Sequence, residues 1–269
     1  MFAIGSFIGF EATAIYGEET KNPRRTVPIA TYVAVITIGV LYAVASWAIV
    51  LAFGSDNVQA VALENTADPT FIATTEYLGS VTSDVMMVML VTSLFAALLA
   101  FHNAISRYSH ALSRSGFAPR GLSAVHARHG SPHVGSLVQT ASAFILVGIF
   151  ALAGADPVLE LFTWMAGVAT VAMLVVMVLT SIAIVIFFAR SDVDNRLWHT
   201  KIAPALGGLG LCAITALVIA NFTTLIGGSQ VLANVFLAII AATFIVASVV
   251  GHFVIRSRDR DGELTPTAP

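Results

Sequence analysis

Residues 2–25 read FAIGSFIGFEATAIYGEETKNPRR, a short apolar segment with two glycines and an acid that ends in a charged cluster. Its apolar part, residues 2–16, is shorter than the about 20 residues that an α-helix needs to cross a bilayer. Gly5 and Gly9 interrupt it, and glycine weakens a helix interior. Backbone freed from a helix at membrane depth is tolerated only where it lines a cavity within protein. The segment therefore predicts a discontinuous helix.

Glu11 strengthens this prediction, because an acid in the middle of a membrane span costs about 2.5–3.5 kcal/mol on insertion scales. An intramembrane acid indicates a functional site, and a short, glycine-interrupted segment is typical of the substrate site of a transporter. Two simpler explanations stay open. The GxxxG spacing of Gly5 and Gly9 is also typical of close helix packing, and Glu11 could lie near the interface and reach water.

The composition is that of a membrane protein. Hydrophobic residues make up 57% of the 269 residues and charged residues only 10%, whereas about a quarter of the residues of a soluble domain are charged. The single cysteine, Cys212, excludes an internal disulfide. A net charge of −2 does not favour nucleic acid as a partner.

Six apolar runs follow the interrupted first segment, each of about the length needed to span a bilayer. They are residues 27–53, 85–103, 134–153, 161–189, 202–226 and 231–255. No part of the sequence is typical of a separate soluble domain. We therefore expect an all-α polytopic membrane protein with six full transmembrane helices and one broken N-terminal helix.

The distribution of charge predicts the orientation of these spans. All 13 Lys and Arg residues lie in alternate connections, and the loops between them, 54–84 and 154–160, contain acids but no Lys or Arg. Because basic connections face the cytoplasm, the first segment is expected to run inward and the C-terminus to be cytoplasmic. The transmembrane region would then be residues 1–255 of a multi-pass protein of the cell membrane. Residues 256–269 would form a disordered cytoplasmic tail.

The connection after the third span is basic and patterned. Arg107, His110 and Arg114 share one face of a helix, which predicts that the third helix continues past the bilayer until Gly116 and Pro119 end it. Three further histidines follow at His126, His129 and His133. No Cys or carboxylate completes a metal-binding set with them, so a solvated basic loop is the ordinary explanation. We expect no metal and no cofactor.

Two groups of residues resemble motifs of amino acid permeases in the amino acid–polyamine–organocation superfamily. Residues 6–11 (SFIGFE) and 17–28 (GEETKNPRRTVP) are similar to the sixth transmembrane segment and following loop, F-x-G-x-E and E-x-K-N-P-x-R-x-I-P. Residues 111–119 (ALSRSGFAP), with VHAR at 125–128 and SP at 131–132, resemble the A-R-D-G-x-L-P, V-H-x-R and T-P pattern after the eighth span. The resemblance implies a fold of two inverted five-helix repeats and two extra helices.

Met1 matches the start of the sixth span of that family. The resemblance therefore implies the second repeat at 1–189 and the two additional helices at 202–255, with the first repeat absent. It implies a secondary transporter for amino acids or related amines, here a C-terminal portion. The alternative is a non-transporting fragment or partner subunit that pairs with another transporter chain. The expected partners are the amino acid or amine, the lipid bilayer, and a missing first-repeat region or another copy.

In the resembling family the interrupted helix offers unpaired backbone groups to the amino and carboxylate ends of the substrate, because the ends of half-helices carry partial charges. The matching substrate-binding positions are Ser6, Phe7, Ile8, Gly9, Phe10 and Glu11. The implied roles are a break at Gly9, a Phe that covers the pocket, and coupling of the break to neighbouring helices or to a proton by Glu11. No catalytic residue is expected, because Glu11 is the only acid or base clearly within a span.

The predicted orientation is tested by labelling single cysteines in a Cys212→Ser background. An impermeant maleimide should modify Glu64→Cys and Ala155→Cys in whole cells, and it should modify Arg120→Cys and Arg196→Cys only after the cells are opened. The reason is that every basic residue lies in the connections of the second pair. The reverse pattern of labelling would rule out this topology.

Overall fold

The computed structural model describes residues 2–15, 17, 20–65, 68–191 and 196–260 of the chain. Within these residues the chain is helical and contains no strand. It divides into two compact units. One is Gly9–Ile145, and the other joins Met1–Ile8 to Leu146–Pro269.

Six helices of the described chain are long and apolar enough to cross a membrane, as the sequence predicted. They are Pro23–Phe53, Ser80–Arg114, His133–Leu152, Pro157–Arg190, Trp198–Ala220 and Gln230–Ser257. Most of their large apolar side chains are exposed, and the first of these helices buries no residue at all. Such surfaces are suited to lipid rather than water, so the chain is an all-α, multi-pass membrane protein.

The unit Gly9–Ile145 contains the first five α-helices and the start of the sixth. They are α1 (Ala12–Ile15), α2 (Pro23–Phe53), α3 (Val58–Glu64), α4 (Pro69–Leu78), α5 (Ser80–Arg114) and α6 (His133–Leu152), with a 3₁₀ turn at Arg120–Ser123. The sequence did not predict α3 and α4, which lie in the acidic loop between two spans. Pro69 begins α4 and Gly79, at φ +85°, follows its last residue. The Tyr77 hydroxyl donates to the Ala52 carbonyl at 2.8 Å, which ties this loop to the end of α2.

The end of α5 confirms the extension predicted from the basic face. The helix stops at Arg114, and Gly116 has a φ of +76°, a conformation that favours glycine. The Phe117 N–H donates to the Leu112 carbonyl at 2.9 Å and the Gly116 N–H donates to the Ser113 carbonyl at 3.0 Å. This pair of bonds is a Schellman motif, which satisfies carbonyls that a helix end leaves free.

The second unit begins with a 3₁₀ helix at Phe2–Phe7 and continues from the later part of α6. A π-helical turn at Pro157–Phe162 leads into α7 (Thr163–Arg190), a second at Trp198–Ile202 leads into α8 (Ala203–Ala220), and α9 (Phe222–Ile226) and α10 (Gln230–Arg260) complete it. Asp156 caps the first of these turns, since its carboxylate accepts from the N–H groups of Val158 and Leu159 at 2.8 and 2.7 Å. The last helix continues to Arg260, five residues beyond the expected membrane boundary. The rest of the expected tail, residues 261–269, lies outside the described residues.

The core of this unit lies where α7 meets the last three helices. Its fully buried side chains include Val171, Val218, Phe222 and Ile226. The sequence predicted one continuous span over residues 202–226, but the helix is interrupted at Asn221. The separate helix α9 places Phe222 and Ile226 in the core. Hydropathy alone does not predict this packing.

Gly167 of α7 packs closely against Ile226 of α9. A Cβ atom at Gly167 would lie 2.7 Å from Cγ2 of Ile226, and Ile226 is fully buried. A branched methyl group close to its own backbone has little room to move. Glycine at this position therefore permits α7 and α9 to make contact.

We predict that Gly167→Ala lowers the thermal unfolding midpoint in detergent, because overpacking a core costs about 1–3 kcal/mol. The matched control is Gly210→Ala in α8, where nothing lies within 4 Å of the added Cβ. That control should keep or raise the midpoint, since alanine is about 0.5–1 kcal/mol better than glycine within a helix. Equal midpoints for the two variants would contradict the assigned packing.

Candidate functional site

The first segment is broken, as the sequence predicted. The 3₁₀ helix Phe2–Phe7 ends at a turn, and α1 begins only at Ala12. Gly9 lies in this turn with a φ of +113°, a conformation that residues with a Cβ atom rarely adopt. The boundary between the two compact units of the chain also falls here, between Ile8 and Gly9.

The side chain of Glu11 stabilises the turn. Its Oε2 accepts a hydrogen bond from the backbone N–H of Gly9 at 2.8 Å. A hydrogen bond to a carboxylate is stronger than one between neutral groups, and it satisfies an amide that the break has freed. The N–H groups of Phe10 and Glu11 have no hydrogen-bond acceptor among the residues that the structure describes. The turn therefore combines one capped amide with two available donors, all on half-buried residues.

Hydroxyl groups flank the break on the side of α1. Thr13 Oγ1 lies 3.0 Å from the Phe10 carbonyl oxygen and 2.6 Å from Thr31 Oγ1 on α2, to which it donates its single proton. Thr31 in turn donates to the Val27 carbonyl at 2.9 Å. This chain of bonds fixes α1 against α2. Phe101 of α5 is the nearest side chain to Gly9, with its Cζ 4.0 Å from the position of an added Cβ.

The 3₁₀ helix belongs to the other unit and packs there. Ile4 lies against the core of that unit, and Gly5 lies close to α7, where an added Cβ would be 3.3 Å from Thr170 Oγ1. Ser6 is exposed, and Phe7 and Ile8 are half-buried. The two glycines of the GxxxG spacing thus act differently, since Gly5 permits close packing and Gly9 adopts the turn.

The six predicted site residues therefore divide by position. Ser6 and Phe7 are the last residues of the 3₁₀ helix and Ile8 follows it, all within one unit, while Gly9, Phe10 and Glu11 form the turn in the other. Sequence reasoning missed Thr13, Thr31 and Phe101, which lie near the break in the unit Gly9–Ile145, and Thr170, which lies close to Gly5 in the other unit. A threonine within an apolar run is a weak signal by itself, and its partner in space is many residues away.

The histidines of the basic connection are packed on one another rather than arranged around a metal. The ring of His126 lies 4.9 Å from that of His129 and 5.7 Å from that of His133, measured between centroids. Among the described residues, no group of three His, Cys, Asp or Glu side chains has the proximity to hold a metal ion.

Comparison with known families places this broken helix in context. The family model for amino acid permeases matches residues 1–264. The chain belongs to the amino acid permease family. The chain is 27% identical over 215 residues to the branched-chain amino acid permease BcaP of Bacillus subtilis (strain 168), a match that covers 77% of the chain and 41% of that relative. It is 32% identical over 124 residues to BcaP of Lactococcus lactis subsp. cremoris (strain MG1363), which covers 46% of the chain and 26% of that relative.

The matched part of the chain thus spans less than half the length of either relative. No solved structure matches it. The family match agrees with the resemblance found in the two sequence motifs.

The capping of the Gly9 amide by the Glu11 carboxylate can be tested by substitution of Glu11. Glu11→Ala leaves the Gly9 amide without its acceptor, which costs about 1–3 kcal/mol locally and should speed amide exchange in a peptide covering the turn by about tenfold. Glu11→Gln retains a side-chain oxygen that can accept the bond and should exchange much more slowly than Glu11→Ala. Hydrogen–deuterium exchange mass spectrometry in detergent measures both, with a peptide from α10 as the internal control. Equal exchange in wild type and Glu11→Ala would contradict the capping role.

Proposed function

We propose that the chain forms the C-terminal part of a secondary transporter for amino acids and that the turn at residues 6–11 binds the substrate. The observation that carries this proposal is the left-handed turn at Gly9, with available backbone donors, in a chain of the amino acid permease family. Interrupted membrane helices are where secondary transporters of this kind place their substrates.

The chemistry of the turn suits a zwitterion. A free amino acid needs hydrogen-bond donors for its carboxylate and acceptors for its ammonium group. The N–H groups of Phe10 and Glu11 supply the donors. The Glu11 carboxylate, which uses Oε2 to hold the Gly9 amide, can accept further bonds and balances the positive charge of an ammonium group. Glu11 would also link the turn to a proton if its carboxylate is neutralised during transport.

The substrate class follows from the apolar neighbours of the turn. Phe7, Ile8 and Phe10 flank Gly9, and they provide an apolar surface for a substrate side chain. Both relatives described above are named as branched-chain amino acid permeases. We therefore propose that leucine, isoleucine and valine are the first substrates to test.

Transport requires more than this chain in our proposal. A substrate site at the interface of two repeats needs both broken helices, and alternating access needs one repeat to move against the other. Residues 1–189 would be the second repeat and 202–255 the two additional helices, with a cytoplasmic C-terminus. The five helices of a first repeat would come from upstream sequence or from a separate chain.

The second candidate function is that of a non-transporting fragment or partner subunit, which would pair with another transporter chain or with a second copy of itself.

Uptake of labelled leucine into proteoliposomes tests the proposed function. The chain alone should give no uptake, and co-reconstitution with a polypeptide carrying five first-repeat helices of a relative should give uptake driven by a proton or sodium gradient. Gly9→Leu in the reconstituted pair should abolish uptake, because leucine at a φ of +113° is strongly strained and fills the turn.

Gly210→Ala in the same pair is the control, because its added methyl group meets nothing within 4 Å. It should transport at the wild-type rate. Membrane yield of Gly9→Leu should remain near that of wild type, which separates a lost site from failed insertion. Concentrative uptake by the chain alone would refute the requirement for a first repeat, and normal uptake by Gly9→Leu would refute the site.

A further inference from the structure

The chain passes between its two compact units at two places. One is the left-handed turn, between Ile8 and Gly9, and the other is within α6, between Ile145 and Leu146. Helix α6 is continuous from His133 to Leu152, so its two ends belong to different units. The stiffness of α6 therefore decides, together with the turn at Gly9, how freely one unit can move without the other.

The first turns of α6 are anchored in the unit Gly9–Ile145. Ser136 Oγ lies 2.7 Å from His102 Nε2, which joins α6 to α5. Gly135 is buried, and an added Cβ there would lie 3.1 Å from the backbone oxygen of Ser106. Glycine at position 135 thus permits the close approach of α6 to α5. This end of α6 is fixed to its own unit by packing and by a side-chain bond.

The last turn of α6 is anchored in the other unit. The ring of Phe150 lies edge-on to the ring of Trp164 on α7, with 5.9 Å between their centroids. Trp164 packs against the core of that unit, and its ring also lies 6.1 Å from the ring of Phe236 on α10. This end of α6 is therefore tied to the helices that follow it.

The part of α6 between these anchors is held by little besides its own backbone. Residues 141–147 are all exposed, and Phe144 and Ile145 expose 78% and 61% of their surface. The sequence of residues 143–149 is AFILVGI, which contains no side chain that can form a hydrogen bond. A segment with few buried apolar contacts has a low local stability. The middle of α6 is therefore the part of this helix that can deform most easily.

Gly148 lies in this segment, two residues after Leu146. Nothing lies within 4 Å of an added Cβ at Gly148, so packing within the chain does not require glycine there. Gly135 in the same helix differs, because its added Cβ would meet the backbone of α5. Glycine within a helix is less stable than alanine, since its backbone has more conformational freedom. That freedom is what a hinge uses, because a hinge residue has to absorb a change in φ and ψ.

We propose that α6 bends at Gly148 and that Gly148 and Gly9 form a pair of hinges on which the two units move. Gly9 supplies one hinge through its left-handed turn, and Gly148 supplies the other within a helix. Gly207 and Gly210 of α8 are equally free of neighbours, but both lie inside one unit, so bending there does not move one unit relative to the other. The hinge is independent of whether the turn at residues 6–11 binds an amino acid.

Double electron–electron resonance on the full chain in lipid nanodiscs tests this hinge. In a Cys212→Ser background, spin labels at Arg120→Cys and Arg190→Cys place one label on each unit. Both positions are exposed. Wild type should show two distance populations. Gly148→Ala should lower the less populated one about two- to fivefold, because alanine favours the helical conformation over glycine by about that factor.

Two controls separate the hinge from general effects. Gly210→Ala makes the same change in a second membrane helix, and its added methyl group also meets nothing, so it should leave both populations unchanged. A label pair within one unit, at Arg190→Cys and Val231→Cys, should give a single distance population with and without Gly148→Ala.

Three results would overturn the hinge. The first is a single distance population between the units in wild type, and the second is a pair of populations that Gly148→Ala does not change. The third is an equal change in Gly148→Ala and Gly210→Ala, which would show a general stiffening of helices. Two populations for the label pair within one unit would also overturn it, because that unit would not move as one body.

Discussion

A backbone N–H group that loses its helical hydrogen bond among apolar residues needs another acceptor. The structure of the first segment depends on which group accepts that bond. Gly9 adopts a φ that only glycine accommodates readily, and the carboxylate of Glu11 takes its N–H at 2.8 Å. Glycine and acid act together here. The glycine permits the turn, while the acid offsets the cost of the amide that the turn releases. An acid in a membrane span, which is costly by itself, thereby has a structural partner two residues away.

Elsewhere in the described spans, many hydroxyl side chains are satisfied within their own helices. Threonine hydroxyls donate to the carbonyl four residues before them at Thr31, Thr92, Thr170, Thr180 and Thr215. This back-bonding hides a polar group from lipid without a partner on another helix. At the turn after Gly9, the N–H groups of Phe10 and Glu11 have no acceptor among the described residues. This turn is therefore where we propose that a substrate binds.

Most of the correct predictions from the sequence rested on hydropathy, on the positions of charged residues and on residues that end helices. The six spans were found because each contains a long apolar run, although the bounds differ from those of the helices, most of all at the end of α5. The end of α5 near Arg114 was also predicted, because Gly116 supplies the left-handed residue that ends a helix. The break in the first segment followed from its length and from Gly9. These are local signals, so one sequence is enough to read them.

Features that depend on distant contacts were not predicted. The helix is interrupted at Asn221 because Phe222 and Ile226 pack into a core with α7. The hydropathy of residues 202–226 shows only a continuous apolar run, so it does not predict this interruption. The packing of Gly5 against α7 was not predicted, because its neighbour Thr170 is far from it in the sequence. The bond between His102 and Ser136 joins residues 34 apart in the sequence. Arg107, His110 and Arg114 were placed on one face from their spacing, but their position beside the start of α6 required the structure.

The backbone torsion at Gly9 is the quantity on which the account depends most directly. Solid-state nuclear magnetic resonance of the chain in lipid bilayers, with ¹³C and ¹⁵N labels on glycine and a Gly9→Ala spectrum for assignment, measures it. The structure predicts a positive φ close to +113°. A φ of about −63°, the value of a continuous α-helix, would contradict the break and with it the proposed substrate site.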